Sequence, residues 1–353
     1  MSETRAVRVG EEFDLGALNA WIATYAEEVG TVSAVEQFPG GFSNLTYLLK
    51  ADRGEFVLRR PPIGVVKGSA HDMVREYRVL SALASRSIPA PRPIGLCDNA
   101  VLLGTPFYIM ERVRGTILRG ASGTTPGAFT MRRLSEAFVE TLAAIHLVDS
   151  SDRVIAELGK PDGYVARQVG GWSKRWDSSR TDGAAAMDRT ARWLTSHQPA
   201  ESGACLVHND FKYDNLVLDS ADNSKIVAVL DWEMAALGDP LLDVGTSLGY
   251  WVEAGDHPAF RSLGLGVTSL PGNFTRAEVW EKYLERTRRP ATDPTFYYVF
   301  GLFKIAVIAQ QIFARYQKGL TTDERFARLG DAVQLLAATA ERAAKTGAIS
   351  AIS

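Results

Sequence analysis

Apolar residues along the chain follow two kinds of spacing, and the switch between them organises it. Leu15, Leu18, Trp21, Ile22 and Tyr25 recur at three- and four-residue intervals, predicting an amphipathic helix over 14–27 with those side chains buried. A period of two then takes over. Leu45-Thr46-Tyr47-Leu48-Leu49 and Glu55-Phe56-Val57-Leu58-Arg59 read as strands joined by the turn Asp52-Arg53-Gly54. Helical spacing returns over 72–83 at Met73, Tyr77, Leu80 and Leu83, after which Pro89, Pro91 and Pro93 interrupt regular structure. Residues 105–110 form a further apolar strand.

Beyond residue 115 the helical interval dominates, at Leu134, Phe138, Leu142 and Ile145 over 130–147. It returns at Phe300, Phe303, Ile305, Ile308 and Phe313 over 294–316, a stripe that reads as core. The apolar runs 216–218 and 226–230 flank Asp222-Asn223-Ser224 and read as a hairpin. Asp239-Pro240 reads as an N-cap followed by the first helical position, and Thr275-x-x-Glu278 and Thr321-x-x-Glu324 resemble capping boxes. The Gly/Ser/Thr-rich stretch 121–130 reads as a loop. The sum is an α+β chain: a small strand-rich unit with an N-terminal helix over 1–110, a hinge at 111–115, and a larger helical unit over 116–353.

Composition adds exclusions. In 353 residues, 46% are hydrophobic and 23% charged, which is ordinary globular usage. Lys+Arg 39 against Asp+Glu 41 gives a net charge of −2, so no global field recruits nucleic acid or an anionic membrane, and neither is expected as a partner. Cys97 and Cys205 stand in unrelated contexts and form neither a disulfide framework nor a metal cluster. Residues 1–14 are polar and lack the apolar core of a signal peptide. No uninterrupted apolar stretch approaches the ~20 residues of a membrane-spanning helix. A cytoplasmic location is the expectation.

The candidate chemistry lies in His208-Asn209-Asp210-x4-Asn215, followed by an apolar run and Asp231. Asp210 has the chemistry to accept the proton of an attacking hydroxyl, and Lys212 to meet negative charge on a transferred group. Asn215 and Asp231 offer hard oxygen ligands suited to Mg2+. His208 reads as a residue that shapes the loop. Taken singly each is an ordinary loop residue; their order and spacing point to a kinase-like site that uses ATP and Mg2+. Upstream, Gly40 and Gly41 sit between two strands, with Ser43 and Asn44 as further donors, a turn that lets the backbone approach phosphates. Arg59 ends a strand and Glu76 lies in the following helix, the pairing by which kinase folds place the α- and β-phosphates. Main-chain groups from Glu111 to Val113 are placed to meet an adenine edge. Asp239 and Asp243 read as caps or braces for the loop after Asp231.

These motifs resemble the aminoglycoside phosphotransferase family of kinase-like enzymes. The likeness is carried by His208-Asn209-Asp210-x4-Asn215 and by Asp231-Trp232-Glu233 with Gly238-Asp239-Pro240 and Asp243. It implies a two-lobed protein-kinase-like fold with a β-rich N-lobe and a helical C-lobe. Phe56–Pro62, Arg75–Leu80, Phe107–Gly115 and Gln168-Val169-x2-Trp172-Ser173-x2-Trp176 are similar to one branch, related to the kinase-like domain fused to some acyl-CoA dehydrogenases. The family usually carries Lys where this chain has Arg59, which keeps the charge and adds a planar fork; Lys67 is a substitute candidate. An Asp-Phe-Gly triplet at Asp231 and a following Ala-Pro-Glu are both missing, which argues against a protein kinase.

The resemblance implies a small-molecule hydroxyl compound as the acceptor. An aminoglycoside pocket calls for acidic groups, whereas 163–180 holds Arg167, Lys174, Arg175 and Arg180 with Trp172 and Trp176. That mixture suits a hydroxylated acyl or carboxylate compound, CoA thioesters included; a solvated amphipathic helix explains it equally. Two further alternatives stay open: an antibiotic kinase, and a nucleotide-binding pseudokinase that regulates a partner.

Overall fold

Asp14 opens the first helix, α1 (Leu15–Tyr25), by accepting hydrogen bonds from the N–H groups of Gly16 and Ala17. The computed structural model describes residues 3–39, 44–63, 72–119, 126–181, 185–321 and 323–350. They fall into two compact units, residues 1–115 with 227–235, and 116–226 with 236–353. Residues 227–235, which the sequence pattern placed with the helical unit, therefore group with the strand-rich one.

The first unit is an antiparallel sheet in the order β1-β2-β3-β5-β4. Its strands are β1 (Val32–Gln37), β2 (Leu45–Ala51), β3 (Gly54–Arg60), β4 (Pro93–Cys97) and β5 (Phe107–Glu111). Cross-strand register places Tyr47 opposite Leu58 and Leu58 opposite Ile109. With Leu18 and Ile22 of α1, these side chains form one fully buried core. Tyr25 departs from the predicted buried face and is 68% exposed. It is the last helical residue, and Ala26 and Val29 close the core in its place. Because strand side chains alternate, Arg59 points away from this core while Leu58 and Arg60 point into it. The opposite face meets α2 (Met73–Ala84), capped by Asp72, with the Tyr77 ring 6.2 Å from that of Tyr108. A short helix, α3 (Ala100–Leu103), completes the unit. Arg60 is fully buried, donating to the Leu103 carbonyl and the Tyr47 hydroxyl.

The second unit is built on helices. In chain order come α4 (Ala128–His146), α5 (Arg153–Ala156), α6 (Tyr164–Ser179), α7 (Ala185–Ser196), β6 (Cys205–Val207), β7 (Leu216–Leu218), β8 (Ile226–Val229), of which only Ile226 belongs to this unit and the rest to the first, and β9 (Ala236–Gly238). After them come α8 (Pro240–Tyr250), α9 (Pro258–Arg261), α10 (Arg276–Thr287), α11 (Thr295–Gln317) and α12 (Leu329–Thr346). Strand β6 pairs antiparallel with β9. Helix α4 begins at Ala128, inside the stretch expected as loop. Asp239 caps α8 with Pro240 at its start, and Thr275 with Glu278 forms a complete capping box on α10. The second expected box does not form: Asp323 caps a short 3-10 turn, Glu324–Arg328. A carboxylate two residues from the Arg325 N–H reaches it where Thr321 does not.

Helix α11 is the centre of this unit. By length and composition it is the one described helix apolar enough to cross a membrane, yet 72% of its most apolar window is buried within the protein. It packs against α8 through glycines. A Cβ on Gly301 would lie 2.1 Å from the Gly245 carbonyl oxygen, and one on Gly245 would lie 2.3 Å from that of Tyr297. Only hydrogen side chains allow the two backbones this close.

Candidate functional site

In the first unit the alternation of β3 delivers Arg59 to the face covered by α2, where it is 8% exposed. Its guanidinium pairs with Glu76, reaches Asp231 Oδ1 at 3.1 Å and lies 3.4 Å from Glu233 Oε2. Burial alone would disfavour its charge; Glu76 first, then Tyr108, Asp231 and Glu233, outweigh this and hold it well above its usual value. The same Glu233 oxygen accepts from Asn44 Nδ2 at 2.7 Å. Asn44, a predicted cofactor contact, is thus tied to the turn after β8, and Glu233 is a member that sequence reasoning missed. Asp231 sits in the left-handed region at φ 68°, followed by Trp232, whose indole N–H donates to the Val229 carbonyl at 2.9 Å.

Glu111 and Val113, predicted to meet a nucleotide, lie at the end of the first unit. The Glu111 N–H donates to the Arg92 carbonyl at 2.9 Å, closing β4 on β5. Among the described residues no hydrogen bond engages the main chain of Val113. Gly40, Gly41 and Ser43, with Lys67, lie outside the described residues.

In the second unit the segment after β6 forms a tight loop. Asn215 Nδ2 donates to both the main-chain oxygen and Oδ2 of Asp210, each at 2.9 Å, and Lys212 Nζ lies 2.9 Å from Asp210 Oδ2. The three residues read from the sequence as base, cation and ligand are therefore one cluster. Lys212 also sits 4.4 Å from the centre of the Tyr250 ring. Burial would push its ammonium down, but Tyr250 and Asp210 hold it up, so it stays charged at neutral pH. Buried His208 takes the shaping role expected of it, its Nδ1 accepting from the Asp210 N–H at 3.2 Å.

What holds the loop from below was only partly foreseen. Asp243 braces the residues before Asp210, not the turn after Asp231. Its Oδ2 accepts from the His208 N–H at 2.7 Å and its Oδ1 from the Asn209 N–H at 2.8 Å. His146 Nε2 lies 3.0 Å from the same carboxylate, and its Nδ1 lies 2.6 Å from the Tyr283 hydroxyl. The tautomer that fits has Nε2–H donating to Asp243 and Nδ1 accepting from Tyr283. Burial raises the Asp243 carboxyl; the bonds from His146 and the loop more than reverse that and keep it below its usual value. The backbone carried a signal that the sequence did not. Of the three described non-glycine residues with positive φ, two are Asn209 and Asp231, and strain of this kind gathers at functional loops.

The basic helix α6 is not a row of free cations. Trp172 and Trp176 are buried, and the Trp176 N–H donates to Asp188 at 2.8 Å. Arg180 pairs with Asp177 and Asp188, and Arg167 donates to the carbonyls of Lys160 and Asp162. Arg175 stacks over the Trp172 ring at 4.8 Å.

Magnesium takes oxygen ligands and keeps phosphate and water oxygens in its shell. The donor set fits. Both hydrogen bonds of the Asn215 amide use Nδ2, which leaves Oδ1 as an acceptor, and Asp231 keeps a 35% exposed carboxylate. No group of three or more His, Cys, Asp or Glu side chains arranged for a metal occurs among the described residues.

A sequence profile of the phosphotransferase enzyme family matches residues 34–280. The chain is 33% identical over 349 residues to acyl-CoA dehydrogenase family member 11 of Rattus norvegicus, covering 96% of this chain and 44% of that protein. It spans less than half the length of the acyl-CoA dehydrogenase relatives it matches. A crystal structure of a provisionally assigned aminoglycoside phosphotransferase from Ralstonia eutropha JMP134 superposes with a TM-score of 0.81 at 32% identity, covering 95% of this chain and 99% of that one. Aminoglycoside phosphotransferase APH(4)-Ia, in a ternary complex with ADP and hygromycin B, superposes at 0.62 with 18% identity, covering 94% and 100%, a likeness of fold. The chain belongs to the phosphotransferase enzyme family and has its two-lobed, kinase-like fold.

Proposed function

We propose that this chain is a magnesium- and ATP-dependent kinase that phosphorylates a hydroxyl group of a small molecule. The observation that carries the reading is the Asp210 carboxylate held between Lys212 and Asn215, with the Asn215 oxygen turned free. In this role Asp210 orients the acceptor hydroxyl and takes its proton as the oxygen bonds to the γ-phosphorus and the bond to the ADP oxygen breaks. Lys212 offsets charge on the transferred group. Asn215 and Asp231 would each offer an oxygen ligand to Mg2+, which would supply positive charge to neutralise phosphate oxygens. Arg59, fixed by Glu76, meets the α- and β-phosphates, with Gly40, Gly41, Ser43 and Asn44 as further phosphate contacts, and the main chain of Val113, which bonds to no described main-chain group, is available to adenine.

For the acceptor we favour a hydroxylated acyl or carboxylate compound. Arg175 over Trp172 and a relative named for acyl-CoA dehydrogenation support it; the hygromycin B complex of a fold neighbour favours an aminoglycoside instead. Coupled ADP release over hydroxyacyl-CoAs, hydroxy acids, amino alcohols and aminoglycosides decides between them, and turnover of aminoglycosides alone would refute the acyl reading. Asp210→Ala is expected to lower turnover by about 10²–10⁴-fold while magnesium-ATP still binds by calorimetry. Undiminished turnover in that variant removes Asp210 as the base.

A further inference from the structure

Helix α11 is a core helix, and one charged side chain interrupts its buried face. Lys304 is 2% exposed and lies between Phe303 and Ile305 in the chain. An ammonium in such a place is costly unless something specific holds it. Its Nζ donates to the main-chain oxygen of Asn209 at 2.5 Å, and it lies 5.5 Å from the centre of the Trp172 ring. Its charged neighbours are Asp210 and Lys212 on the loop, Asp243 on α8 and Arg175 on α6.

The carbonyl it grips belongs to the peptide that joins Asn209 to Asp210. Asn209 is in the left-handed region at φ 66°, a conformation that needs outside support. That support surrounds it: Asp243 takes the N–H groups of residues 208 and 209, Tyr164 bonds the Asn209 side chain at 3.0 Å, and His208 takes the N–H of Asp210. Lys304 takes the remaining carbonyl and so sets the plane of the peptide from which the Asp210 side chain projects.

We infer that Lys304 is a positioning residue for Asp210, acting through the Asn209 carbonyl rather than on substrate. This rests on the reading of Asp210 as the base. Two consequences follow. Loss of the ammonium misplaces the base without touching either substrate, so kcat falls and KM does not. Burial also pushes the Lys304 ammonium down to about 8, with Asp210 and Asp243 pulling the other way. Protonated Lys304 is then the working form, and activity declines as pH rises through that region.

The test uses Lys304→Met, which removes charge and donor, and Lys304→Gln, which keeps a neutral donor, with magnesium-ATP hydrolysis by water as the probe. Asp210→Ala is run beside them. Expected are a fall in kcat of about 10-fold or more in Lys304→Met, a smaller fall in Lys304→Gln, KM for ATP within about threefold, and an alkaline decline present in the wild type and missing in both variants. Asp210→Ala with full hydrolysis overturns the reading of the base and this proposal with it. Inactive Asp210→Ala beside unchanged kcat in Lys304→Met overturns the Lys304 proposal alone. So does a pH profile that both variants share with the wild type, since a purely structural lysine would leave the profile in place.

Discussion

Asp243→Asn removes one charge and nearly no volume from a fully buried site, so its effect reads the network beneath the catalytic loop directly. The carboxylate accepts three hydrogen bonds, from the N–H groups of His208 and Asn209 and from His146. Oriented to keep its oxygen on His208 and His146, the amide turns its NH2 towards the Asn209 N–H, donor against donor. One bond to a charged acceptor, worth about 1.5–3 kcal/mol, is lost, and a buried N–H left unmet costs about 1–3 kcal/mol more. Together these give about 3–5 kcal/mol, or a fall in Tm of roughly 4–7 °C for a chain of this size. Scanning fluorimetry and urea unfolding measure it. The acid side supplies an independent check. The Asp243 carboxyl is held below its ordinary value in the folded protein. Its contribution is therefore complete above the unfolded value of about 4 and is lost as pH falls through the folded one. The gap between wild type and variant should narrow on acidification. A variant that melts within about 1 °C of wild type at pH 7, with unaltered turnover, would refute the idea that this carboxylate holds the loop.

The first unit and the helix crossing offer two further tests. Arg59→Met strands Glu76, Asp231 and Glu233 around a missing cation and should cost about 3–5 kcal/mol, whereas Arg59→Lys should keep magnesium-ATP affinity within about tenfold, having the charge without the fork. Calorimetric titration and thermal melts check both, and equal effects of Met and Lys would contradict the charge argument. Gly301→Ala should lower the unfolding free energy measured in urea by about 3 kcal/mol or more through overpacking, because its neighbour is backbone. A stabilisation of about 1 kcal/mol, the helix-propensity gain alone, would show that α8 and α11 separate freely.

Short-range physics was legible in advance. Asp14, Asp72, Asp239 and the Thr275–Glu278 pair each start a helix where the sequence places it, because a cap depends on N–H groups two or three residues away. The period of two over 45–49 and 55–59 likewise gave β2 and β3, and so the face on which Arg59 stands. It did not reveal that Arg60, one residue on, would be enclosed as completely as a core side chain.

The kind of chemistry was also in the sequence: its carboxylates, amide and cations, in an order that a local loop largely enforces. Asn215 reaches Asp210 because both belong to one turn. Which distant groups hold that turn was decided by the tertiary structure alone. Glu233 meets Asn44 across 189 positions, and Lys304 meets Asn209 across 95. Nothing local distinguishes Lys304 from an ordinary interruption in an apolar stripe. Its partner is fixed by how α11 crosses α8, and that crossing depends on two glycines, Gly245 and Gly301, whose missing side chains mean something only once the helices lie together.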